Sequence, residues 1–149
     1  MVRMKPALNL VDFIAHDMDA TVAFYRALGI EIPDSALWRT PTGVHHVDID
    51  LPGGLAIHFD SEALARHYDR GWKPPAGPGT RLVLSFRVPE RKDVDEIHGR
   101  LTSLGHRSAQ PPFDAFWGAR YAIVEDPDGN HIGIMSPSDP GRRSAPPNL

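Results

Sequence analysis

The chain has 149 residues, 41% of them apolar and 23% charged, with no cysteine and a net charge of −3. That is the make-up of one globular domain large enough for a real core, and it excludes disulfides, thiolate nucleophiles and cysteine-ligated zinc. Scattered basic residues on a slightly acidic chain argue against nucleic acid and anionic membrane as partners. No apolar run reaches membrane-spanning length, and an N-terminus without an apolar signal core makes the cytoplasm the expected compartment.

In chain order, Leu8 to Ala15 alternates as a strand, with Val11, Phe13 and Ala15 facing one way and Leu8, Leu10, Asp12 and Ile14 the other. A helix follows from Asp17 or Asp19 as N-cap to Gly29 as its stop, with Val22, Tyr25, Leu28 and Phe24 as core stripe. Leu37 to Thr40 is a short strand carrying Trp38. In Val44 to Leu51, Val47 and Ile49 alternate with His46, Asp48 and Asp50. His45 and His46 are neighbours, so they point to opposite faces and cannot chelate one ion together. After a Pro52-Gly53-Gly54 turn, Leu55 to Asp60 sets Leu55, Ile57 and Phe59 against Ala56, His58 and Asp60. A short helix, Ser61 to Tyr68, is capped by Ser61 and runs into a proline-rich linker.

The order then repeats. Arg81 to Val88 is a strand with Leu82, Leu84, Phe86 and Val88 on one face and Arg81, Val83, Ser85 and Arg87 on the other. Asp93 to Leu104 is a helix with Asp93 as N-cap and Glu96 at N3. Strands near His106 to Ala109 and over Ala119 to Glu125 flank a proline-rich loop that carries Phe113, Phe116 and Trp117. Asp126-Pro127-Asp128-Gly129-Asn130 is a turn, and His131 to Met135 closes a hairpin. In it Tyr121 and Ile123, then Ile132 and Ile134, read as the alternating apolar face. The expected fold is α+β: two βαβββ modules at 8–60 and 80–136, a linker at 61–79, and a disordered tail at 137–149 with little to bury.

Asp19-Ala20-Thr21-Val22-Ala23-Phe24-Tyr25-Arg26-Ala27-Leu28-Gly29 and the closing hairpin, from Trp117-Gly118-Ala119-Arg120 to Glu125-Asp126-Pro127-Asp128-Gly129-Asn130, carry a resemblance. With the repeated modules, the chain resembles the vicinal oxygen chelate superfamily, which includes glyoxalase I, bleomycin-resistance proteins, fosfomycin-resistance enzymes and extradiol dioxygenases. The resemblance implies a mixed sheet curled into cups, paired cups around a ligand pocket, and a homodimer. It also implies a divalent ion held by His, Gln or Glu at four places in catalytic members. Those places fall on Leu10, His58, Arg81 and Gly133. Leu10 and Gly133 cannot donate, and Arg81 is a permanent cation. A slip of one residue substitutes Asn9, or Ile132 or Ile134, and does not restore the set; a two-histidine site of His58 and His131 is the sparse alternative. The expectation is no metal and no cofactor.

Alternation assigns Asp12, His58, Asp60, Arg81, Ser85, Arg87 and His131 to the inner face, of which Asp12, Asp60 and Arg87 read as rim ion pairs. His58 and Arg81 at the cup floor are ligand-contact candidates, and His46, Ser85 and His131 join them. Trp38, Phe113 and Trp117 are candidate stacking surfaces, each worth about 0.5–1.5 kcal/mol per ring pair beyond burial. His67, His98 and His106 read as surface residues. The expected function is metal-free binding and sequestration of a hydrophobic aromatic small molecule, neutral or anionic, as in antibiotic self-resistance of the bleomycin-resistance kind. The alternative is a lyase- or dioxygenase-like enzyme with an atypical site, or a metal-free catalyst with His58 as general base.

Overall fold

The computed structural model describes residues 8, 10–69, 72–76 and 82–146. Contacts divide the described residues into two units, one holding those up to 22 together with those from 31 to 76, the other holding 23–30 and those from 82 to 146. The first helix is therefore split: residues 23–30, which the sequence assigns to the first module, group with the second unit. Among the described residues no helix is long and apolar enough to cross a membrane.

The first unit contains β1 (Leu10–Ala15), the opening of α1 (Met18–Leu28), β2 (Leu37–Thr40), β3 (Gly43–Asp50), β4 (Ala56–Ser61) and α2 (Glu62–Tyr68). Its four strands lie in the order β1-β4-β3-β2, parallel at β1/β4 and antiparallel elsewhere. One face is apolar and closed: Phe13, Ala15, Val47, Ile49, Ile57 and Phe59 are all buried, with Phe13 and Phe59 edge to face at 5.6 Å. Asp17 caps α1 through the Ala20 amide at 2.9 Å, and Ser61 caps α2 through the Leu64 amide at 3.1 Å, as their positions before helical runs predict.

The second unit contains the remainder of α1, β5 (Val83–Arg87), α3 (Arg91–Ser103), β6 (Ser108–Asp114), β7 (Arg120–Glu125) and β8 (His131–Met135). Its sheet repeats the first in connectivity, β5-β8-β7-β6, with β5/β8 parallel. Phe24, Tyr25 and Leu28 pack in its core with Val94, Leu101, Ala122, Val124, Ile132 and Ile134. The buried Tyr25 hydroxyl donates to Asp126 at 2.9 Å. That same carboxylate accepts from the amides of Asp128 and Asn130 and from the Asn130 side chain, which shapes the turn Gly129 completes at φ 81°.

Several expectations are corrected. The apolar face of the closing hairpin is Ala122, Val124, Ile132 and Ile134; Tyr121 and Ile123 pair with Met135 and Gly133 and lie on the opposite, open face. The segment carrying Phe113 is strand, not loop. Pro111 and Pro112 are tolerated because β6 is an edge strand whose register shifts twice there. Helix α3 starts earlier, with Glu90 as N-cap and Asp93 at N3, where the Asp93 carboxylate accepts the Glu90 amide at 2.8 Å. The tail is anchored as far as it is described: the amides of Asp139 and Ser144 donate to the carbonyls of Gly118 and Phe116, at 3.0 and 2.9 Å, around a 3-10 turn at Pro140–Arg142. His106, read as a surface residue, packs edge-on against Phe24 at 4.7 Å, and His98 bonds Ser108 at 2.7 Å.

Candidate functional site

Each sheet has one closed face and one open face, and the open faces differ in chemistry. In the second unit the register brings Ser85, Gly133 and Ile123 into one row across β5, β8 and β7. Arg87, Met135, Tyr121 and Phe113 form the row beside it. Four rings gather at its edge: Trp117 lies 6.4 Å from Phe113, 5.1 Å from Phe116 and 5.7 Å from Tyr121, and Phe113 lies 6.1 Å from Tyr121. Most of these pairs are edge to face, the arrangement aromatic quadrupoles prefer. The wall is not closed off, since Phe113 is 36% exposed and Phe116 is 40% exposed.

The loop that carries Phe116 and Trp117 is held from several sides. Arg91 donates to the Gly118 carbonyl at 2.9 Å and pairs with Asp114. Ser138 donates to the Trp117 carbonyl. Arg120 grips Asp95 with two nitrogens at 2.7 and 3.0 Å, which holds that carboxyl below the ordinary carboxylate range.

At the centre of this face Gly133 has no side chain, and two hydroxyls fill its place. Ser85 Oγ and Tyr121 Oη are 3.1 Å apart. A Cβ at 133 would stand 2.3 Å from Ser85 Oγ and 2.7 Å from the Tyr121 oxygen. His131 sits one row further along, 3.8 Å from Glu125.

The first unit's open face is polar. Register pairs Asp12 with His58, His58 with Asp48, and His46 with both Asp60 and Trp38. Asp60, 3% exposed, is the hub of this face: His46 Nδ1 lies 2.5 Å from one oxygen, and the Tyr68 hydroxyl donates to the other at 2.9 Å. The His46 and His58 rings meet edge to face at 5.0 Å. Asp12 is exposed as a residue, yet its carboxyl is pushed up to about 6. Burial of the carboxyl is the largest cause, followed by the charge and hydrogen bond of Asp60, against a downward pull from His58 and His46. Asp12 and Asp60, read from sequence as rim ion pairs, instead form the core of this cluster.

Trp38 lines a separate shallow cavity of about 420 Å³ with Thr40, Thr42, His45 and residues of α2. His45 there bridges Ser61 at 2.8 Å and Thr42 at 2.7 Å.

Of the residues singled out from sequence, Trp38, His46 and His58 thus fall in the first unit, and Ser85, Phe113, Trp117 and His131 in the second. Arg81 lies outside the described residues. Tyr121 is the functional candidate that sequence reasoning missed; Asp60 was placed on the inner face but read as a rim ion pair. No sequence signal placed Tyr121 there: its position on the face of Gly133 follows from the closure of the turn, where the Asp126 amide donates to the Asn130 carbonyl.

The divalent ion implied by the fold does not fit these residues. Leu10 and Gly133 offer no donor, and the volume a ligating side chain at 133 would need is taken by the Ser85 and Tyr121 hydroxyls. Among the described residues no group of three or more His, Asp or Glu side chains is arranged to hold a metal ion.

Two half-sheets of repeated β-α-β-β-β connectivity, each with an open face, define the class. The chain belongs to the Glyoxalase/Bleomycin resistance protein/Dioxygenase superfamily, whose family model matches residues 7–134. Among solved structures it is similar to a glyoxalase-related enzyme from Fulvimarina pelagi, with 20% identity, a TM-score of 0.70 and 88% of each chain covered. It is also similar to a lactoylglutathione lyase from Agrobacterium tumefaciens, with 21% identity, a TM-score of 0.61 and 90% of this chain and 96% of that one covered. TioX from Micromonospora sp. ML1 is 25% identical, with a TM-score of 0.59 and 88% and 98% covered. A search of curated proteins found no match.

Proposed function

We propose that this protein binds and sequesters a planar aromatic small molecule without a metal ion, as a cytoplasmic homodimer, in the manner of an antibiotic self-resistance protein. The observation that carries the reading is the ring wall of Phe113, Phe116, Trp117 and Tyr121 beside an open sheet face, with Phe113 and Phe116 left partly exposed. Soluble proteins seldom leave such rings clustered at a surface without a partner, and flat ligands gain both area and offset or edge contacts from them. Arg87, in the same row as Tyr121 and Phe113, favours a neutral or anionic ligand over a cation.

Tryptophan emission tests this. Titration with naphthalene, 2-naphthol and anthraquinone-2-sulfonate is expected to give saturable quenching that a Phe113→Ala/Phe116→Ala double variant loses. Absence of quenching by all three rejects the reading.

One observation favours a second reading, an enzyme with an atypical or metal-free site. The Asp12–Asp60 carboxyl pair with His46 and His58 is a set of proton carriers on an open face. Elemental analysis separates the two in part: stoichiometric zinc, nickel, manganese or iron in the purified protein counts against metal-free binding.

A further inference from the structure

We infer that the Ser85–Tyr121 hydroxyl pair over Gly133 is the polar reader of the aromatic site, and that its ligand carries an oxygen substituent on the ring, a phenol or a ring carbonyl. The inference rests on the aromatic-wall reading above and specifies its ligand class. Three observations lead to it. First, Gly133 is buried at mid-sheet, and any side chain there collides with both hydroxyls, so the missing Cβ is the condition for the pair to exist. Second, at 3.1 Å one hydroxyl donates to the other, which leaves one O–H and the remaining lone pairs to turn outward. Third, the Tyr121 ring that carries one of these oxygens is itself a member of the wall, 5.7 Å from Trp117 and 6.1 Å from Phe113. A ring stacked on the wall therefore has its edge beside a donor–acceptor pair. Such a pair distinguishes an oxygenated ring from a plain one, because seating a plain ring there strips water from the hydroxyls without replacing its hydrogen bonds.

Naphthalene and 2-naphthol differ by one hydroxyl and make the test. By equilibrium dialysis the wild-type protein is expected to bind 2-naphthol about three- to tenfold more tightly than naphthalene, the range of one net hydrogen bond. Tyr121→Phe keeps the ring, and Ser85→Ala leaves the wall untouched. Each is expected to bring the ratio close to one, by weakening 2-naphthol, by relieving naphthalene of the desolvation cost, or by both. Gly133→Ala, whose Cβ displaces both oxygens and presses on the Tyr121 ring, is expected to lower the ratio as well, with circular dichroism reporting that it is folded. A ratio that survives all three variants while both probes still bind overturns the hydroxyl-pair inference and leaves the aromatic wall standing. Wild-type protein that binds neither probe overturns both.

Discussion

Two glycines show how a single missing carbon is used in different ways. At Gly118, φ is +93° and an added Cβ would lie 2.2 Å from the backbone oxygen of Asp139, so relief requires the chain itself to move. At Gly133 the obstructing atoms are the ends of side chains, Ser85 Oγ and the Tyr121 ring and oxygen, which can turn aside. Gly118→Ala is accordingly expected to cost about 2 kcal/mol or more, as left-handed backbone strain adds to the clash. Gly133→Ala is expected to cost less, about 0.5–1.5 kcal/mol, the scale of an off-rotamer adjustment. Urea midpoints of the two variants check the order, and equal losses would contradict it. Tyr25 works differently. Its ring is fully buried and its hydroxyl donates to Asp126, the carboxylate that also shapes the closing turn. Tyr25→Phe is expected to lose about 1–3 kcal/mol by leaving that acceptor short of one donor, measurable by the same denaturation.

At the scale of elements, most of the strands and helices were legible because each carries its own period. The α1 stripe of Val22, Tyr25 and Leu28 is buried as its spacing predicts, and Ser61 caps α2 as a serine before a helical run should. What depends on pairing between elements was not legible. Strand period alone gives each residue a face but does not say which faces of two strands coincide, and the coincidence of Tyr121 with Gly133 follows only from the turn that joins β7 to β8. Phe113 was misassigned because prolines argue for loop unless the strand is known to be an edge, and edge position is a property of the whole sheet. Helix α2 offers a local check. It has seven residues, so its ends matter, and Ser61→Ala is expected to cost about 1 kcal/mol. Amide exchange over 62–68 should quicken in the variant, and unchanged protection there would show that the cap bond carries no weight.

At the scale of the whole molecule, superfamily membership was legible and the candidate site only in part: Ser85, Phe113 and Trp117 were singled out, but the repeat keeps a register while the residues on it diverge. Asp12 stands opposite His58 in the first unit as Ser85 stands opposite Gly133 in the second. Equivalent strand positions thus hold a carboxyl–histidine pair in one unit and a hydroxyl over a glycine in the other, and no periodicity distinguishes them. The first unit's set has a consequence for stability against pH. Asp12 has a folded-state pKa of about 6 against an ordinary 3.8, so between those values the folded protein holds a proton that the unfolded chain releases. Its contribution therefore turns unfavourable as pH rises from about 4 to about 6 and stays so above. Asp60, His58, His46 and Asp48 share the face beside it. The difference between wild type and Asp12→Asn isolates this one. The variant's stability relative to wild type is expected to be greater at pH 7 than at pH 4, read from urea midpoints at the two pH values. An offset that is the same at both would mean that Asp12 ionises in the folded protein as it does in the unfolded chain, and that the Asp12–Asp60 pair shares no proton.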